Sequence, residues 1–183
     1  MKYAGVGSRR APEGALRLIG RIAARLAQQG WTLRSGGTPG ADQAWEAGAL
    51  SARGRVEIYL PWPFFQGYRS CRVGVVLDEP TQEALGGAAR LHPFWEKLAP
   101  PSRKAVARYH HVVLGHSLRD PVDFVVCWTP DGAEGARETT PGTGDVGQAI
   151  RLADGWRIPV INLANGQGPE RIAQLLKKLG GGG

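Results

Sequence analysis

The sequence predicts a single α/β domain built on an open parallel sheet with helices on both faces. Three observations carry that reading. Short β-rich runs alternate with helix-patterned segments along the 183 residues, the order that folds as parallel α/β units. The run Val122–Trp128 is almost continuously apolar, as a central parallel strand buried on both faces must be. Glycine-rich turns follow three of the predicted strands and lead towards helices, which is where parallel sheets gather their ligands.

Lys2–Val6 is the first strand. Pro12 suits the first turn of a helix and Glu13 suits its positive end. Leu16, Ile19, Ile22, Ala23 and Leu26 then recur at spacings of three and four, which is one apolar helix face, and Gly30 stops it. Trp31–Arg34 is the second strand, and a helix from about Ala41 to Ala52 follows its turn. Val56–Leu60 is the third strand, closed by Pro61 and Pro63. Residues 61–78 read as a loop. Residues 80–118 read as a helical insert, with patches broken at Gly86-Gly87, Pro93 and Pro100-Pro101. After the strand at 122–128 come a Gly/Thr-rich loop over 129–144 and a helix near Val146–Ala153. A strand at Ile158–Leu163 and a last helix near Pro169–Leu179 complete the pattern. Residues 1–179 are thus expected as one domain, and Gly180–Gly183 as a flexible tail.

Right-handed crossovers place the five strands, counted in chain order, as 3-2-1-4-5, a Rossmann-like sheet. The order reverses between strands 1 and 4, so a crevice opens at their carboxyl ends. Three loops must line it. Gly7, Ser8 and Arg9 follow the first strand; the side chain of Arg10, next to Arg9, is expected to diverge from it, as adjacent loop side chains do. Ser35, Gly36, Gly37 and Gly40 follow the second, with Asp42 opening the next helix. Gly142, Thr143 and Gly144 precede a later helix. Backbone N–H groups at such turns and helix starts donate to phosphate oxygens. Asp42 reads either as a ribose or water contact or as a helix cap.

Composition narrows the partner. The charge is +7, with 23 basic against 16 acidic residues. Residues 1–60 hold nine Lys/Arg against four Asp/Glu, residues 61–120 eight against five, and residues 121–183 six against seven, so the excess lies in the first two thirds of the chain. Most of it is arginine, whose planar fork suits phosphate. A nucleotide or a nucleic acid strand fits as partner, and a solvated basic surface is the alternative. No stretch reaches the ~20 apolar residues of a membrane span. No apolar leader follows Met1, so a cytoplasmic location and no membrane partner are expected. Two cysteines, Cys71 and Cys127, make neither CxxC nor a zinc set. His92, His110, His111 and His116 show no metal-ligand spacing, so no metal and no cofactor are expected. No Ser-His-Asp arrangement and no GxSxG is present, and no catalytic residue is assigned. The loop Pro61–Arg72 holds four aromatics and two arginines. It reads as a lid on the core or as a surface for base contact, with Tyr68 and Arg69 the likeliest to reach a base.

The Gly-Ser-Arg after the first strand, the Ser-Gly-Gly-x-x-Gly-Ala-Asp after the second and the late Gly-Thr-Gly resemble the SMF/DprA-LOG (SLOG) superfamily. The segments His92–Leu98, Ala107–His110, Val113–Gly115 and Phe124–Gly132 are similar to small phage and bacterial DprA-like proteins. The resemblance implies a Rossmann-like fold and a role in DNA processing, recombination or nucleotide sensing, by binding single-stranded DNA or a nucleotide. Related Rossmann-like proteins commonly pair, so it is compatible with a homodimer. Arg108-Tyr109 stands where relatives often carry Arg-Asn, so an Asn contact is absent there; Arg108, one of the basic residues beyond the Gly-rich loops, is a candidate base or strand contact. LOG-like members are nucleoside 5′-monophosphate phosphoribohydrolases, and that is the alternative activity. Their Pro-Gly-Gly-x-Gly-Thr-x-x-Glu is only partly matched by Pro141–Gln148, with no Glu at the corresponding place, so binding without a reaction is the favoured reading.

Overall fold

Six parallel strands form one sheet in the computed structural model, which describes residues 1–69 and 74–180. They are β1 (Lys2–Gly7), β2 (Thr32–Ser35), β3 (Val56–Tyr59), β4 (Val75–Leu77), β5 (Phe124–Trp128) and β6 (Val160–Asn162). Their spatial order is β4-β3-β2-β1-β5-β6. The five expected strands stand in the expected order, and β4 is added at the edge beside β3. Residues 61–78 are therefore more than a loop. β4 escaped notice because it is three residues long and Gly74 precedes it. That glycine, at φ 94°, is needed: a Cβ there would lie 2.5 Å from the Val56 side chain.

Six α-helices cover the sheet: α1 (Glu13–Gln28), α2 (Ala41–Ser51), α3 (Gln82–Leu91), α4 (Pro100–Leu114), α5 (Gly147–Gly155) and α6 (Gly168–Gly180). The pleat sends alternate residues of β1 to opposite faces. Tyr3 packs with Ile19, Leu26, Trp45 and Phe124 under α1 and α2. Ala4 and Val6 pack with Tyr109, Val113 and Ile150 under α4 and α5. Two details of the expected insert change. Gly86-Gly87 does not break α3; Gly87 lies inside it, where a Cβ would meet the His110 ring at 2.8 Å. Pro100-Pro101 opens α4, because proline fits a first helical turn. No helix among the described residues is long and apolar enough to cross a membrane. Of the tail expected at 180–183, Gly180 instead ends α6 and residues 181–183 lie outside the described residues.

A charged network ties the turn after α4 to the sheet. Arg34 is buried. Its Nε donates to Glu57 Oε2 at 2.5 Å, and its Nη1 and Nη2 donate to the Asp120 carbonyl and carboxylate, each at 2.5 Å. Lys2 Nζ reaches Asp120 at 2.7 Å and Glu57 at 3.2 Å. The Lys2 hydrogen bond, with Arg34 behind it, holds the Asp120 carboxyl below its ordinary range. Burial alone would raise Glu57, but Arg34 and Lys2 together outweigh it and lower it too. Both groups bind protons more weakly folded than unfolded. Their stabilisation is full above the ordinary carboxylate range and is lost as pH falls through the depressed native values. The urea midpoint is therefore expected to fall between about pH 5 and pH 3, with Glu57→Gln flattening part of the fall. Equal slopes for the two proteins would exclude the network from the acid response.

Candidate functional site

β1 and β5 are paired neighbours, and Ser8 N still donates to the Trp128 carbonyl at 3.0 Å beyond their last pair. There the chains part and open a crevice of about 300 Å³. Gly7, Ser8, Arg9 and Arg10 form one wall, and Pro141–Val146 the other. Thr38, Arg108 and Tyr109 complete it. Ser8 Oγ accepts from Arg10 N at 3.1 Å, a tight turn that leaves Arg9 and Arg10 exposed at the mouth. Neither arginine is in an ion pair among the described residues.

The far wall is braced by Asp131. Its carboxylate accepts from Thr129 Oγ1 at 2.8 Å, from Thr140 Oγ1 at 2.7 Å and from Thr143 Oγ1. Burial would raise this carboxyl, but the three hydroxyls and the Ala133 N–H outweigh it and lower it to about 2. Thr143 Oγ1 also accepts from Thr140 N at 2.8 Å. The Gly142–Gly144 turn is thus fixed from within before any ligand arrives.

Asp42 and Arg108 knit the two remaining loops together. Asp42 is 0% exposed, in the first turn of α2. Its Oδ1 accepts from Gly7 N at 3.1 Å and its Oδ2 from Thr38 N at 3.2 Å. Burial pushes its carboxyl up to about 6, against the pull of the Arg108 charge and the two N–H donors. Arg108 is 2% exposed. Its Nη2 donates to Thr38 Oγ1 at 2.5 Å and lies 3.9 Å from Asp42 Oδ2, and its Nη1 donates to the Ala105 carbonyl. The guanidinium carbon sits 4.5 Å from the Tyr109 ring centroid and 5.8 Å from that of Phe65. Arg108 Nε has no hydrogen-bond partner among the described residues. A Cβ on residue 36 would lie 2.7 Å from that atom, so only glycine leaves room for the guanidinium beneath the loop.

The crevice therefore gathers Gly7, Ser8, Arg9, Arg108, Gly142, Thr143 and Gly144 from the expected set. Others stand behind it. Ser35 Oγ donates to the Gly5 carbonyl at 2.7 Å. Gly36 backs onto Arg108, Gly37 onto Tyr68 and Gly40 onto the Arg9 backbone. Tyr68 is buried, and its hydroxyl donates to Glu46 Oε2 at 2.5 Å. Arg69 is exposed, while Cys71 and Arg72 lie outside the described residues. Thr38 and Tyr109 are crevice residues that the sequence did not single out. The signal for that wall was Arg108 itself, a lone arginine within the uncharged run Ala105–Leu114 of α4. No three His, Cys, Asp or Glu are arranged to hold a metal among the described residues.

A parallel sheet whose strand order reverses at a glycine-turned crevice defines the Rossmann-like fold class. Residues 1–70 match the family model of DNA recombination-mediator protein A, which places the resemblance to the DprA group in the segment holding the Gly-Ser-Arg and Ser-Gly-Gly turns. The fold is similar to a solved structure of DNA processing protein A from Helicobacter pylori, described for its single-stranded DNA binding mode. The TM-score is 0.54 at 18% identity, over 88% of this chain and 64% of that one. This chain therefore spans less than two thirds of that relative's length. No curated protein matches.

Proposed function

We propose that this chain binds single-stranded nucleic acid by its phosphates in the crevice and acts as a DprA-like DNA-processing protein. The observation that carries the reading is the exposed Arg9 and Arg10, without an ion pair among the described residues, lining one crevice with the buried Arg108. Phosphate oxygens would complete the hydrogen bonding of the two exposed forks, and such charge-assisted bonds are about twice as strong as neutral ones. The match of residues 1–70 and the described strand binding of the H. pylori neighbour support it. Anisotropy titration of a labelled oligonucleotide at low salt tests it, with a free mononucleotide as competitor. Displacement by micromolar mononucleotide would favour nucleotide sensing instead.

Glycosidic cleavage of a nucleoside monophosphate is the second reading, because exposed Asp145 also lines the crevice. Such chemistry needs a carboxylate beside the phosphate to activate water or steady a cationic sugar. Asp42 and Asp131 are committed to protein donors, and Gln148, fully buried, is no acid or base. No free base is expected from any 5′-monophosphate incubated with the pure protein. Steady release that disappears in Asp145→Asn would reverse this.

A further inference from the structure

The turn after β3 buries some of its aromatic side chains and exposes one. Phe65 is buried with Ile58, Leu60 and Tyr68, and its ring lies 5.8 Å from the Arg108 guanidinium. Tyr68 is held by Glu46 and backs onto Gly37. Phe64, between buried neighbours of the same turn, is 69% exposed. It holds φ 62°, and Gln66 holds φ 51°, a left-handed conformation that bulky residues rarely adopt. Phe65 N donates to the Trp62 carbonyl at 3.2 Å, Gly67 N to the Phe64 carbonyl at 3.0 Å and Tyr68 N to the Phe65 carbonyl at 3.0 Å. The backbone is thus pinned in the conformation that turns Phe64 outward. Phe94 is also exposed, but Lys97 Nζ sits 5.3 Å from its ring centroid. No ring or cation covers Phe64 among the described residues.

We infer that Phe64 is a stacking platform for a base of the bound strand, carried on the turn whose Phe65 packs against Arg108 of the crevice. The inference rests on the strand-binding reading above and deepens it. A strand whose phosphates lie in the crevice carries further bases past it, and one of these can lie on Phe64. Stacking on an aromatic face is tolerant of sequence because every base has a π-face. The platform therefore implies an oligonucleotide ligand read by backbone and stacking, with little base preference.

The test compares wild type with Phe64→Asn and Phe64→Tyr. Asparagine tolerates the left-handed backbone, so it removes the ring and keeps the turn; tyrosine restores the ring. Phe64→Asn is expected to weaken binding of a labelled oligonucleotide about tenfold, with an unchanged melting temperature, and Phe64→Tyr to bind as wild type. On a strand of the same length made wholly of abasic sites, wild type and Phe64→Asn are expected to bind equally. Equal affinity of the two for the normal strand would overturn the platform while leaving the crevice intact. Failure of wild type to bind any strand at low salt would overturn the strand-binding reading instead.

Discussion

Asp42→Ala is expected to be the most destabilising single change in the site, lowering unfolding free energy by about 3–5 kcal/mol. The alanine leaves Gly7 N and Thr38 N without their acceptor. It also leaves Arg108, 2% exposed, without the carboxylate 3.9 Å away. An uncompensated buried charge is the costliest part of that loss. Domains of this kind are stable by only about 5–15 kcal/mol, so urea denaturation should show a large drop in midpoint. Asp42→Asn keeps one acceptor oxygen and is expected to cost less, about 1–3 kcal/mol. Arg108→Met added to Asp42→Ala should recover part of the loss, because it removes the stranded charge. A midpoint for Asp42→Ala close to wild type would show that the two loops do not depend on this carboxylate.

The largest effect on binding is expected from Arg9→Ala combined with Arg10→Ala. Both side chains are exposed and neither is in an ion pair among the described residues, so their loss should leave thermal stability almost unchanged. A charge-assisted hydrogen bond contributes about 1.5–3 kcal/mol, which makes tenfold or more for Arg9→Ala alone and a larger loss for the pair. Arg108 is a poorer choice for this experiment, because its guanidinium also supports Thr38 and the α4 backbone. A binding defect there would mix with a folding defect.

How much of this was legible in the sequence depended on how much pattern each element carried. α1 was legible because Ile19, Ile22, Ala23 and Leu26 repeat at helix spacing over several turns, and all four are buried. β5 was legible because both of its faces are covered, by Phe124 and Val126 on one side and Val125 and Cys127 on the other. β4 was not, because three residues behind a glycine carry no periodicity. The glycines after β2 showed that backbone comes close to something, without showing what. For Gly36 the neighbour is a protein arginine 72 residues away in the chain. Asp42 at a helix start was equally consistent with a cap and a ligand contact; only burial shows that its oxygens serve two loops. Composition showed that the turn after β3 is aromatic, but Tyr68 found an internal carboxylate and the exposed ring is Phe64. Positive φ at a phenylalanine has no signature in composition.

The salt dependence of oligonucleotide binding by wild type and by the Arg9→Ala, Arg10→Ala double variant tests strand binding in the crevice most directly. Each phosphate contact to a single strand contributes about −0.7 to the slope of log affinity against log salt. A strand lying across Arg9, Arg10 and the crevice makes several such contacts. Wild type should therefore show a steep slope, and the double variant a slope shallower by about 1.4, the share of two lost contacts. A shallow slope for wild type, or the same slope for both proteins, would contradict the claim that this crevice holds a strand by its phosphates.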